Sequence, residues 1–190
     1  MLISDSYRRL NEELHERRPD YGSYGNKYRD LICGMLAHFD GRSFLDYGEG
    51  KGTLRASLHE ELAKMGLRHK ITLAGYDPAV SAVSADPNPA DIVACTDMME
   101  HIEPELLRNV LEHLASKVKK AAFITVATRP AVKFLADGRN AHLIQENWHW
   151  WSSAIDEFLP ISTVNVQGPG EVHFFCVAKG QTNGTGEPPA

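Results

Sequence analysis

Residues 43–52 read Ser43-Phe44-Leu45-Asp46-Tyr47-Gly48-Glu49-Gly50-Lys51-Gly52, an apolar run ending in an acidic residue and three glycines at alternate positions. Ser43 to Tyr47 predicts a buried strand, and residues 53–65 predict an amphipathic helix with its N-cap around Gly52 and Thr53. Strand, glycine turn and helix in that order put the loop where a doubly wound sheet brings its backbone against a ligand. Without a Cβ, glycine allows the tight turn and the close approach. Two nucleotide-binding patterns fail on spacing. The dinucleotide fingerprint needs its third glycine three residues after the second, and Gly52 follows Gly50 by two. A phosphate-cradling loop needs Gly-Lys before Ser or Thr, and Lys51 precedes Gly52.

Working outward, the chain alternates strand and helix. Residues 70–76 read as a strand ending at Asp77-Pro78, Ile92 to Thr96 as a buried strand, residues 104–117 as a helix and Ala121 to Ala127 as a further strand. Such alternation predicts a mainly parallel sheet with helices on both faces. The stretch from Ala79 to Pro89 is too short and too rich in proline for a full helix, strand and helix. Upstream, residues 4–17 and 27–38 read as helices around an irregular Pro19–Gly25 segment, with Tyr21 and Tyr24, that suits a lid or surface loop. Downstream, residues 128–151 form a long connection with three tryptophans, and residues 152–159 a short helix. Ser162–Val166 and Val172–Ala178 then read as a terminal hairpin, before a disordered tail over 180–190.

The 190 residues are 43% hydrophobic, enough for one substantial core. Twenty basic against 25 acidic residues give a net charge of -5, so there is no bulk attraction for a phosphate backbone. A local patch of Arg8, Arg9, Arg17 and Arg18 remains compatible with RNA, although Glu12 and Glu13 lie one turn from the first pair and fit a solvated, charge-paired face. No apolar run approaches the roughly 20 residues of a membrane span, and the N-terminus turns polar too soon for a signal peptide. Cys33, Cys95 and Cys176 are widely spaced and form no framework. A soluble, cytoplasmic protein with no membrane partner is expected.

Asp46-Tyr47-Gly48-Glu49-Gly50-Lys51-Gly52 resembles the first motif of the class I S-adenosylmethionine-dependent methyltransferases, an acidic residue followed by Gly-x-Gly-x-Gly. Asp77 ends the next strand, where that family places an acceptor for the ribose hydroxyls, a task an ionised carboxylate suits. Residues 90–103, with Asp97, Glu100 and His101, resemble the family's fourth-strand segment and its Glu-His pair. The resemblance implies a Rossmann-like methyltransferase sheet with an antiparallel C-terminal hairpin and a shortened third-strand region, in one domain over residues 1–179 with N-terminal helices and lid in 1–40. It implies S-adenosylmethionine as cofactor, held by Asp46, Gly48, Glu49, Gly50, Gly52, Asp77, Thr96 and Asp97. Asp86 is a candidate for the adenine amino group.

Catalysis would consist mainly of holding acceptor and methyl carbon in line, with a base removing a proton from a hydroxyl or protonated amine. His142, His101 and Asp97 are the candidates. The spacing Asp97-x-x-Glu100-His101 with a later His142 also resembles the metal-ligand pattern of small-RNA 2'-O-methyltransferases, Asp97 standing in for a glutamate. Asp97, Glu100, His101 and His142 could therefore bind a divalent metal. The same Glu-His pair also occurs in methyltransferases that need no metal. The expected acceptor is an O or N atom of a small molecule. The alternatives are a metal-assisted RNA methyltransferase and a non-catalytic S-adenosylmethionine-binding module.

Overall fold

Period-two alternation along the central strands decides which helices cover which face of the sheet. In the computed structural model, which describes residues 1–17 and 24–180, the strands are β1 (Ser43–Tyr47), β2 (Thr72–Tyr76), β3 (Ala90–Thr96), β4 (Val118–Ala127), β5 (Ile161–Val166) and β6 (Glu171–Val177). They form one sheet in the order β2-β1-β3-β4-β6-β5. The first four pair in parallel, and β6 runs antiparallel to both β4 and β5. The helices are α1 (Asp5–Arg17), α2 (Arg29–His38), α3 (Thr53–Lys64), α4 (Leu107–Lys117) and α5 (Trp148–Asp156).

Leu45, Val93, Cys95, Ala122 and Ile124 join one core with Leu111 and Leu114 of α4 and Trp151 and Ile155 of α5. Phe44, Ile92, Ala94, Ala121 and Phe123 join the other with Ile32 and Leu36 of α2 and Leu54 and Leu58 of α3. A fully buried Leu, Ile or Phe contributes about 1.5–3 kcal/mol, so the two cores fix the sheet between its helices. The expected α/β class, its antiparallel C-terminal pair and its helices on both faces are what the chain forms. Between β2 and β3 stands a single turn of 3-10 helix, Ser81–Val83, in place of a helix and a third strand, and β2 is one edge of the sheet.

Other elements differ from expectation for local reasons. The helix expected from residue 27 begins as a 3-10 turn, Tyr24–Tyr28, and β2 starts at Thr72 after another, Arg68–Lys70. The helix expected over 152–159 begins at Trp148, because the Asn147 side chain accepts the N–H groups of His149 (3.0 Å) and Trp150 (3.1 Å) as an N-cap. All three tryptophans therefore sit on α5. Residues 18–23 of the expected lid and the tail from residue 181 lie outside the described residues. Among the described residues, no helix is long and apolar enough to cross a membrane.

Candidate active site

β1 lies between β2 and β3, so the chain turns to opposite sides after β1 and a crevice opens at the carboxyl ends of these strands. The glycine loop fills its floor. Gly48 and Glu49 donate their N–H groups to the Tyr76 carbonyl at 2.7 and 3.1 Å, which ties the loop to the end of β2. Gly48, Gly50 and Gly52 have φ of 81, 53 and 66°, a left-handed region costly for residues with a Cβ. A Cβ on Gly48 would also lie 2.5 Å from Met98 Cγ. The motif is thus demanded twice, by conformation and by space.

Asp77 braces this loop. One carboxylate oxygen accepts the Gly50 N–H at 3.1 Å and the other the Ala79 N–H at 2.9 Å. Glu49 is turned inward, its two oxygens 2.6 and 2.9 Å from the Arg55 guanidinium. It passes over Gly75, where a Cβ would lie 1.7 Å from Glu49 Oε2. Asp46 is buried at the end of β1, and its carboxyl is pushed up to about 7 by burial and by Glu49, against the opposing charge of Arg55. Asp46, Gly48, Glu49, Thr96 and Asp97 line one groove with Gly25, Thr53 and Leu54. A second, more apolar groove next to it carries Tyr47, Gly48, Tyr76, Asp77, Pro78 and Met98. Asp86 lines neither: its carboxylate lies 2.7 Å from both His113 Nε2 and Lys117 Nζ on α4. Gly75 and Arg55 carry no motif and were not anticipated, although a lone glycine inside a strand signals a close approach.

The other wall is assembled from distant segments. Asp97 has φ of 55°, and its N–H donates to the carbonyl (3.2 Å) and Oγ1 (3.0 Å) of Thr125 at the end of β4. Glu100 and His101 follow in the 3-10 turn Met99–His101. Glu100 is fully buried; its Oε1 accepts the Ala127 N–H at 2.8 Å, and its carboxyl lies beside that of Asp97. Burial, and then the neighbouring Asp97 carboxylate, hold its pKa well above the usual range. His101 donates Nδ1–H to the Ala141 carbonyl at 2.7 Å, and His142 donates Nδ1–H to the Arg129 carbonyl at 2.6 Å. The two rings meet edge to face with centroids 4.8 Å apart. Burial lowers the pKa of His142 and so favours its neutral imidazole.

Asn140 staples the connection that brings His142 here. Its side chain accepts the N–H groups of Ala131 and His142, both at 2.9 Å, and donates to the Ala131 carbonyl at 2.8 Å. Sequence reasoning singled out His142 but missed this support. Trp151 is fully buried in the core and Trp148 packs against it, whereas Trp150 is exposed; none of the three lines either crevice groove.

A family model described as a methyltransferase domain matches residues 14–162. No curated protein matches the chain in sequence. Among solved structures, a Burkholderia thailandensis 1,6-didemethyltoxoflavin-N1-methyltransferase with bound 1,6-didemethyltoxoflavin and S-adenosylhomocysteine superposes with a TM-score of 0.62 at 12% identity, over 94% of this chain and 91% of that one. DhpI in its SAH complex gives 0.58 at 15% identity, over 92% and 98%. An O-methyltransferase family protein, also from Burkholderia thailandensis, gives 0.50 at 15% identity; here the chain is covered over 83% but spans only 59% of the relative. Identities this low speak for the fold alone, and the domain match carries the family. With the glycine loop, the Asp77 brace and the six-stranded sheet in place, the chain belongs to the class I S-adenosylmethionine-dependent methyltransferases.

Proposed function

We propose that this enzyme transfers the methyl group of S-adenosylmethionine to an oxygen or nitrogen atom of a small molecule. The carrying observation is the glycine loop locked against β2 by Asp77 and the Tyr76 carbonyl, which leaves a main-chain floor shaped for close approach by a ligand. Gly48, Gly50 and Gly52 provide that floor, Asp77 accepts from the ribose, and Asp46, Thr96 and Asp97 flank the donor's amino-acid end. The second groove, between Pro78 and Met98, takes the adenine.

In the transfer, a lone pair of the acceptor forms the new bond to the methyl carbon. The sulfur–methyl bond breaks, its electron pair stays on sulfur, and the sulfonium becomes a neutral thioether. Alignment is the main catalytic contribution, about 7–11 kcal/mol in well-oriented systems. The acceptor's proton leaves to the polar wall of Asp97, His101 and His142. Asp97 also lines the donor groove and so links the two halves of the site. The 1,6-didemethyltoxoflavin bound by a similar fold accords with a small planar acceptor. The N-terminal arginines fit it too, since Arg8 pairs with Asp5 and Glu12, and Arg17 with Glu13, on one solvated helix.

Calorimetric titration with S-adenosylmethionine tests this reading. Saturable micromolar binding is expected, and Asp77→Ala should weaken it at least tenfold, about 1.4 kcal/mol. An unchanged dissociation constant in the variant would remove Asp77 from the site, and no binding by the parent protein would refute the proposal.

A further inference from the structure

We propose that Glu171 selects the acceptor, taking a small molecule that carries a protonated amine and anchoring that amine between its own carboxylate and the ring of Tyr28. This rests on the methyltransferase reading above and names its substrate class. The amine is the anchor and not the atom methylated, because an ammonium group has no lone pair to give to the methyl carbon.

Three donors converge on one oxygen of Glu171. The Tyr28 hydroxyl donates to Oε1 at 2.8 Å, His173 Nε2–H at 2.7 Å and the Lys27 ammonium at 3.4 Å. Among the described residues, none of these hydrogen bonds reaches Oε2, which keeps its full capacity as an acceptor. Burial would raise the pKa of the carboxyl, but the hydrogen bonds from His173 and Tyr28 and the Lys27 charge outweigh it and hold the group below its ordinary range. The result is a fixed, ionised carboxylate whose side chain is still 27% exposed, within reach of a ligand.

Lys27 shows what such a site binds. Its ammonium stands 4.7 Å from the centroid of the Tyr28 ring, so carboxylate and aromatic face already receive one cation together. That cation is loosely held: the Lys27 side chain is 48% exposed, and 3.4 Å is long beside the roughly 2.7–2.9 Å of a charge-assisted hydrogen bond. The Tyr28 ring, by contrast, is pinned edge to face by Phe123 at 5.0 Å and His173 at 5.5 Å. A substrate amine therefore takes the second oxygen and competes with Lys27 for the ring.

The position suits acceptor recognition. Glu171 stands opposite Ala127 at the end of β4, and the Ala127 N–H is the one that holds Glu100. The Arg129 side chain crosses neighbouring Gly170, where a Cβ would lie 2.7 Å from Arg129 Cδ, and the Arg129 carbonyl orients His142. On the other side, Tyr28 ends the 3-10 turn Tyr24–Tyr28, whose Gly25 lines the donor groove. Glu171 is thus tied to both the donor groove and the histidine wall, the two surfaces between which the acceptor must lie.

Calorimetric titration at neutral pH, in excess S-adenosylhomocysteine, with benzylamine and with its uncharged counterpart benzyl alcohol provides the test. Benzylamine should bind with a millimolar dissociation constant, and benzyl alcohol at least about tenfold more weakly. Glu171→Gln keeps an acceptor for Tyr28 but removes the charge, so it should weaken benzylamine at least about tenfold. Lys27→Gln removes the competing ammonium and should tighten benzylamine at least about threefold, an opposite response that a merely structural cluster would not give. S-adenosylhomocysteine affinity should stay within about twofold in both variants. Should Glu171→Gln fail to fold, Lys27→Gln decides alone. Benzylamine bound no better than benzyl alcohol, unchanged by Glu171→Gln or not tightened by Lys27→Gln overturns the amine anchor, and retained S-adenosylhomocysteine binding leaves the methyltransferase reading standing. A parent protein that discriminates benzylamine but binds no S-adenosylhomocysteine overturns that reading instead.

Discussion

The glycine loop draws on continuous chain, whereas the wall opposite joins His101 to Ala141 across 40 positions of sequence. The loop is made of backbone: three glycines in left-handed conformations, amides on the Tyr76 carbonyl and one bracing carboxylate. The wall is made of side chains whose directions are set by distant carbonyls. Backbone shape leaves a spacing in the sequence, because only glycine fits it; a carbonyl that orients a histidine leaves none. One half of the crevice should therefore fail when glycine is replaced, and the other when a support out of contact with any ligand is removed.

The sharpest break is expected at Gly48. In Gly48→Val, a β-branched residue at φ of 81° meets Met98 at its Cβ, and cofactor affinity should fall by at least about 100-fold, or about 2.7 kcal/mol. Gly66→Ala is the matched control. It has φ of 68° with nothing within 4 Å, so it should lose about 1 kcal/mol of stability and keep its affinity. Equal affinity loss in both would reduce the loop to a matter of stability.

Asp46 separates the halves by pH. Its carboxyl is lifted from 3.8 to about 7 on folding, so the folded chain holds a proton that the unfolded chain releases. Stability from this group is full below about pH 4 and is lost as the pH rises through 7. Asp46→Asn should therefore flatten the fall in unfolding free energy across that window and stabilise the protein at pH 8, by up to about 4 kcal/mol. Denaturant melts at pH 5 and 8 measure it, and parallel curves for both proteins would show Asp46 ionised without cost.

Asn140 tests the wall. Asn140→Ala strips partners from both Ala131 groups and from the His142 amide, so turnover should drop about 10- to 100-fold with cofactor affinity within twofold. A matching fall in affinity would show that loop and wall are one cooperative unit.

Legibility follows the same division. The sheet was readable because Leu45, Val93 and Ile124 alternate with Phe44, Ile92 and Phe123, and the missing third strand because Ala79–Pro89 is too short. The tryptophans of α5 were misread as loop: Asn147 is a start signal, yet the apolar run Trp148-His149-Trp150-Trp151 masks helical periodicity. Asp97, Glu100, His101 and His142 were legible as residue types. Their arrangement depends on Arg129, Ala141 and Asn140, two of which contribute only main-chain carbonyls that any residue possesses.

Asp86 should produce the smallest effect and the finest discrimination. Its carboxylate is largely exposed, and its contacts run to His113 and Lys117 on α4. His113 in turn hydrogen-bonds the Tyr47 hydroxyl at 2.7 Å, so Asp86 is linked to the second groove through two intervening rings. Asp86→Ala should change S-adenosylmethionine affinity by less than about threefold, because the interactions it loses are solvent-screened. A tenfold loss would mean that the carboxylate leaves His113 for the adenine when cofactor binds. In that event the short segment after β2 would supply directly the recognition that its missing helix and strand would otherwise carry.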